Sequence, residues 1–111
     1  IERLDLKRAL YEKINAVRKP DCIVSSNTST LPLADLTSGL PDSFSENFLI
    51  THFFNPPRYM RLLEVIEGPK TRPDAVSAIS TFWRAVRASI RWPGRWVIAM
   101  RGRFARYSPA W

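Results

Sequence analysis

The sequence predicts an α/β fold in which helices cover a mostly buried sheet. Two observations lead to this prediction. Segments with apolar residues at helical spacing alternate with short continuous apolar runs, and such runs are typical of strands that are buried on both faces. The 111 residues are also 45% hydrophobic, which suits one small domain with a packed core or part of a larger one.

Three segments carry helical spacing. We predict an amphipathic helix over residues 2–18 that ends before Pro20, a short helix over 32–38, and a longer helix over 71–90 with Pro73 in its first turn. The expected core-facing stripe of the first helix is Leu6, Leu10, Ile14 and Val17. That of the long helix is Val76, Ile79, Phe82 or Trp83, Val86 and Ile90.

Three apolar runs are expected to be strands. They are CIVSS at residues 22–26, FLITHFF at 48–54 and MRLLEVIEG at 60–68. The single cysteine, Cys22, lies in the first run, and we expect it to be a small buried core residue. One cysteine forms no internal disulfide, which favours a reducing compartment.

The connections carry turn-forming residues. NTST at residues 27–30 is expected to be a loop in which Ser29 or Thr30 caps the short helix, and Gly39 lies near the end of that helix. LPDSFSEN at residues 40–47 is expected to be a turn-rich connection. No run of about 18 uncharged apolar residues occurs, so we expect no membrane span.

Charge divides the chain near residue 83. The net charge of +7 would suggest nucleic acid or an anionic membrane as a partner, but residues 1–83 carry 10 acidic and 10 basic residues and are neutral. Residues 84–111 hold seven arginines, no lysine and no acid. The four tryptophans lie in or beside this tail: Trp83, Trp92, Trp96 and Trp111.

One imidazole and one carboxylate lie in apolar strand candidates. His52 is the only histidine of the chain, and Glu64 stands between Leu63 and Val65. A buried carboxylate is costly unless it is paired, and a carboxylate that accepts the Nδ1 proton of a histidine leaves Nε2 as a base. The pair is either a general-base dyad or a polar pair that is only structural. We predict no metal site, because the chain has one His and one Cys in different elements.

Polar residues follow two of the predicted strands. SSNTS ends the first strand and HFFNPP ends the second, and ligands of α/β sheets bind beyond the carboxyl ends of strands. The SSNTS segment is either part of such a site or only a capping loop. A hydrolase that uses Ser29 with His52 and Glu64 is weakly supported, because no G-x-S-x-G motif surrounds any serine.

SSNTSTLPLADL followed by HFFNPPRYMRLLEVIEGPKT resembles the L-3-hydroxyacyl-CoA dehydrogenase family over about residues 1–83. The resemblance implies NAD-dependent oxidation of a 3-hydroxyacyl-CoA to a 3-ketoacyl-CoA in fatty acid β-oxidation. It also implies that residues 1–83 are the second half of a Rossmann-like NAD-binding domain. The resemblance further implies an acyl-CoA substrate and a parent protein that is a homodimer or a multienzyme. It places that protein in the bacterial cytoplasm or, in a eukaryote, in the mitochondrial matrix.

The same resemblance assigns roles to individual residues. His52 corresponds to the catalytic base, Glu64 to the carboxylate that orients it, and Ser29 to the serine near the substrate oxygen and the nicotinamide. Asn55 corresponds to an NAD contact. Glu2 and Lys7 correspond to a Glu and a Lys that line the cofactor site.

The chain departs from the family pattern in three respects. It has no G-x-G-x-x-G turn for the pyrophosphate, no D-x-P-x-F-x-x-N-R motif after the last helix, and no helical C-terminal domain. We therefore expect a partial Rossmann-like sheet that lacks the first βαβ unit, in a fragment that does not turn over alone.

The tail at residues 84–111 has no counterpart in the family pattern. It is interpreted either as a frameshifted translation of GC-rich coding DNA or as a basic, aromatic module that binds nucleic acid or an anionic membrane. WVIAM within it could equally form a short strand.

Overall fold

A computed structural model of the chain describes residues 3–54, 62–89, 97–101 and 107–109. The helices are α1 (Leu4–Val17), α2 (Leu33–Thr37), α3 (Asp42–Ser45) and α4 (Pro73–Ser89). The strands are β1 (Val24–Ser26), β2 (Phe48–Phe53), β3 (Leu62–Glu67), β4 (Val97–Arg101) and β5 (Tyr107–Pro109). The predicted α/β class is confirmed.

The five strands form one sheet in the order β1-β2-β3-β4-β5. β1 runs parallel to β2, β3 runs antiparallel to β2 and parallel to β4, and β5 runs antiparallel to β4. The carboxyl ends of β1 and β2 therefore lie at the same edge of the sheet, together with the start of β3. The segment WVIAM contributes to β4, so the interpretation of this segment as a strand is confirmed.

The core lies on both faces of the sheet, because β2 is buried along most of its length. Phe48 and Ile50 pack against α1, α2 and α3, whereas Leu49 packs with Leu63, Val65 and Val76 beneath α4. We call these the α1 face and the α4 face. Alternation along β2 and β3 then places His52 and Glu64 on the α1 face, in line with Ile50 and Ile66.

Helix α1 presents a different stripe to the core from the predicted one. Leu4, Tyr11 and Ile14 pack inward, whereas Leu6, Leu10 and Val17 are exposed. The Tyr11 ring lies 5.1 Å from the Phe48 ring and 5.8 Å from the Phe44 ring, centroid to centroid. Burying this large aromatic side chain outweighs burying the leucines, so the helix is rotated to place Tyr11 inward.

The connections around α2 and α3 correct two further predictions. Neither Ser29 nor Thr30 caps α2: the residue before the helix is Pro32, and the Leu31 N–H donates to Thr28 Oγ1 at 3.2 Å. Gly39 does follow the end of α2, with a φ of 81° that favours glycine.

A helix replaces part of the predicted turn-rich connection. Residues Asp42–Ser45 form α3 because this turn carries Phe44 into the core, where its side chain is 1% exposed. Cys22 is exposed and precedes β1, which contradicts the expected burial: the first strand begins only at Val24.

Helix α4 passes through the predicted boundary at residue 83. Trp83 rather than Phe82 packs on the α4 face, next to Val76 and Ile79, and Phe82 is exposed. Ile90, the last residue of the predicted stripe, lies outside the described residues. The division of the chain into 1–83 and 84–111 stays a prediction.

Among the described residues, no helix has the length and apolarity needed to cross a membrane.

Candidate active site

Three chain segments meet at the edge where β1 and β2 end. The loop at residues 27–30 follows β1, His52 lies near the end of β2, and Glu64 lies near the start of β3. The antiparallel register places His52 directly opposite Glu64, so the two side chains project from the same face of the sheet. The fold thus brings together the two side chains on which the sequence prediction depended.

His52 and Glu64 approach each other through the atoms that a dyad requires. His52 Nδ1 lies 3.6 Å from Glu64 Oε2, and the side chains are only 17% and 14% exposed. This separation allows an electrostatic interaction, but it is longer than a hydrogen bond. A hydrogen bond would form if the Nδ1–Oε2 distance shortened by somewhat under 1 Å. Catalytic hydrogen bonds often tighten in this way only when substrate binds.

The imidazole also packs against an aromatic ring. The Phe54 ring lies 4.8 Å from the His52 ring, centroid to centroid, and is tilted by 58°. The imidazole thus packs against the Phe54 ring, and its Nδ1 faces Glu64 on β3. The opposite nitrogen, Nε2, is the one that does not face Glu64.

The turn after β1 is attached to β2 beside the histidine. Asn27 Oδ1 accepts a hydrogen bond from the Phe53 N–H at 3.1 Å, and Thr51 Oγ1 donates to Ser25 Oγ at 3.2 Å. Ser29 is exposed in this turn, at the same edge of the sheet as His52. No pattern in the sequence singles out Asn27, because its partner lies 26 residues further along the chain.

Of the predicted cofactor-binding residues, Lys7 and Ser29 lie in the described part of the chain, and Glu2 and Asn55 lie outside it. Lys7 is half-buried on α1, and its Nζ donates to Ser26 Oγ at 3.4 Å. The inward rotation of α1 therefore places an ammonium group beside the end of β1.

This donor set fits one part of a dinucleotide. An ammonium group, exposed turn hydroxyls and an imidazole can bind ribose hydroxyls and the nicotinamide carboxamide. The sequence offers no glycine-rich turn for the pyrophosphate, so the fit is partial. Within the described residues, no three His, Cys, Asp or Glu side chains form a group that could hold a metal ion.

Known proteins are similar to this chain in sequence. Residues 1–90 match the family model described as 3-hydroxyacyl-CoA dehydrogenase, NAD binding domain. A Rickettsia felis protein named as a fatty acid oxidation complex trifunctional enzyme is 49% identical over 82 residues, which is 74% of this chain and 11% of that protein. A Deinococcus radiodurans protein named as a 3-hydroxyacyl-CoA dehydrogenase is 46% identical over 82 residues, 74% of this chain and 24% of that protein.

Solved structures agree in fold. The dehydrogenase part of multifunctional enzyme 1 from Caenorhabditis elegans superposes with a TM-score of 0.75 at 29% identity, covering 92% of this chain and 21% of that one. The 3-hydroxybutyryl-CoA dehydrogenase of Escherichia coli gives a TM-score of 0.68 at 27% identity, covering 90% and 20%.

The chain thus spans between about a tenth and a quarter of the length of these relatives. The family match and the structural likeness confirm the predicted Rossmann-like α/β fold and the prediction of NAD as the cofactor. The chain belongs to the family of the 3-hydroxyacyl-CoA dehydrogenase NAD-binding domain.

Proposed function

We propose that this chain supplies the general base, its orienting carboxylate and part of the cofactor site of an NAD-dependent 3-hydroxyacyl-CoA dehydrogenase. The observation that carries the proposal is the 3.6 Å approach of His52 Nδ1 to Glu64 Oε2 at the edge where β1 and β2 end. Family membership supplies the reaction class, and the half-buried pair supplies a base suited to it.

Oxidation of a 3-hydroxyl to a ketone removes a proton from the oxygen and a hydride from C3. Bound NAD supplies the hydride acceptor. His52 Nε2 takes the hydroxyl proton as the carbon–oxygen double bond forms. A positioned general base contributes roughly 10²- to 10⁴-fold to such a step.

Glu64 acts on the reaction through His52. A carboxylate facing Nδ1 holds a proton on that nitrogen, which leaves the Nε2 lone pair free to accept the proton of the substrate. Its negative charge also attracts the imidazolium that forms during the reaction. The net effect is smaller than this attraction, because both groups lose part of their hydration.

Four further roles belong to the same proposal. Ser29 donates a hydrogen bond to the substrate oxygen and contacts the nicotinamide, and Lys7 binds a polar group of the cofactor. Asn55 and Glu2 complete the cofactor contacts.

The substrate is an acyl-CoA thioester, and the whole protein acts in fatty acid β-oxidation as a homodimer or multienzyme, in the bacterial cytoplasm or the mitochondrial matrix.

A grafted enzyme tests this proposal. Residues 1–83 of this chain replace the segment that they match in the Deinococcus radiodurans relative, and NADH consumption with acetoacetyl-CoA is followed at 340 nm. We expect His52→Asn and Glu64→Gln each to lower kcat by about 10²-fold or more, while Glu12→Gln, an exposed carboxylate on α1, serves as the matched control. Unchanged turnover in both site variants would overturn the proposal.

The second hypothesis, a basic tail that binds nucleic acid or an anionic membrane, gains no support from the fold or from the relatives. The backbone of the tail contributes β4 and β5 to the same sheet as the proposed site. We retain the dehydrogenase as the proposed function.

A further inference from the structure

The backbone ladder between β1 and β2 ends before the histidine is reached. Its last pair is Ser26 with Ile50, and β2 continues as far as Phe53. Beyond that pair, side chains of the β1 segment make the contacts to β2. Ser25 Oγ accepts a hydrogen bond from the Thr51 hydroxyl, and Asn27 Oδ1 accepts one from the Phe53 N–H at 3.1 Å.

We propose that Asn27 is a positioning residue for His52. Its side-chain oxygen takes the place of a main-chain carbonyl and extends the parallel ladder to the peptide that joins His52 to Phe53. On the other side of β2, the antiparallel ladder pairs His52 with Glu64. The backbone at His52 is thus fixed from both sides, although β1 has already left the sheet.

The distance between the imidazole and the carboxylate explains why this restraint matters. At 3.6 Å, His52 Nδ1 and Glu64 Oε2 are close to hydrogen-bonding distance but not within it. A strand end that is held on one side only can move by more than the gap between 3.6 Å and hydrogen-bonding distance. A misplacement of about 1 Å in a catalytic group costs on the order of 10²-fold in rate. Asn27 therefore acts on the pair through the backbone of β2.

This inference rests on the proposed function, because it presupposes that Glu64 orients His52. The chain has a single histidine, so imidazole nitrogen chemical shifts of the ¹⁵N-labelled chain report on His52 alone. These shifts show which ring nitrogen carries the proton, and a carboxylate that faces Nδ1 favours one tautomer. Glu64→Gln gives the shifts of a ring without that carboxylate.

Three variants separate positioning from a merely structural role. Asn27→Leu removes the acceptor at similar size, and Asn27→Asp keeps an oxygen in the same place. Asn47→Ala is the matched control, because Asn47 anchors the opposite end of β2 through bonds to Pro20 and Arg72. We expect Asn27→Leu to move the imidazole shifts at least roughly halfway towards those of Glu64→Gln.

The rescue and the control complete the expected pattern. Asn27→Asp should keep the shifts of the unaltered chain, and Asn47→Ala should keep them while lowering the denaturation midpoint. Exchange of the Phe53 amide proton should accelerate by about tenfold or more in Asn27→Leu and remain slow in Asn27→Asp. If Asn27→Leu does not fold, Asn27→Ser, whose hydroxyl is too short to reach Phe53, is measured in its place.

The outcomes distinguish the two proposals. If Glu64→Gln changes the imidazole shifts and Asn27→Leu does not, the role of Asn27 is wrong and the dyad stands. If Glu64→Gln leaves the shifts unchanged, Glu64 does not orient His52, and the proposed function loses its supporting observation.

Discussion

Replacing Tyr11 by alanine tests the rotation of α1, on which the position of Lys7 depends. Tyr11 is 4% exposed and contacts the rings of Phe44 and Phe48. Removing a buried aromatic side chain costs about 3–5 kcal/mol, of which each ring contact supplies about 0.5–1.5 kcal/mol. Domains of this size are stable by about 5–15 kcal/mol, so Tyr11→Ala should remove a large part of the free energy of unfolding.

Leu10→Ala is the matched comparison on the same helix. The Leu10 side chain is 52% exposed, so its truncation should cost less than about 1 kcal/mol. Urea denaturation of both variants, followed by tryptophan fluorescence, gives the two free energies. Equal costs, or a larger cost for Leu10→Ala, would show that the leucine stripe faces the core. Lys7 lies four residues before Tyr11 on the same face, so that result would also remove Lys7 from the end of β1.

Three further outcomes are expected. Thr71→Val should cost about 2–3 kcal/mol in urea denaturation, because the buried Thr71 hydroxyl donates to the Phe48 carbonyl at 2.8 Å and accepts the Gly68 N–H at 2.9 Å. Gly39→Ala should cost about 1–2 kcal/mol in the same assay, because its φ of 81° strains any residue with a Cβ. In the grafted enzyme, Lys7→Met should raise the KM for NADH by about 10- to 100-fold and leave that for acetoacetyl-CoA unchanged, since a hydrogen bond from the ammonium group to the cofactor contributes about 1.5–3 kcal/mol.

The sequence predicted the sheet well where burial on both faces leaves an unmistakable pattern. FLITHFF was predicted as a strand over 48–54, and β2 spans Phe48–Phe53 with its first four residues buried. The facing strand was predicted over 60–68, and β3 spans Leu62–Glu67. Continuous apolar runs have few alternatives in a chain of this size, so these predictions needed no tertiary information.

The rotation of α1 could not be predicted from spacing alone. Leu6, Leu10 and Val17 recur at helical intervals, and so do Leu4, Tyr11 and Ile14. The second stripe faces the core because Phe44 and Phe48 provide a site for an aromatic ring. This site is created by segments more than 30 residues further along the chain. α3 escaped prediction for the same reason, since its one turn forms around the buried Phe44 side chain.

The candidate site shows the same division between local and long-range information. His52 and Glu64 could be identified because a histidine and a carboxylate in apolar strands are unusual, and strand pairing then places them opposite each other. Asn27 could not be identified, because its bond to Phe53 joins a loop side chain to a distant backbone N–H. A loop asparagine is ordinarily explained by turn formation.

The polarity of the strands explains why these groups can work together. Parallel pairing brings the ends of β1 and β2 to one edge, and the reversal at β3 brings the start of that strand to the same edge. A shift of β3 by one residue would turn Glu64 to the α4 face and take Leu63 and Val65, which are 2% and 1% exposed, out of their packing with Leu49 and Val76. Because that shift would remove two buried side chains from the core, packing on the α4 face fixes the register. The orientation of His52 and Glu64 on the α1 face therefore depends on apolar residues that pack on the opposite face of the sheet.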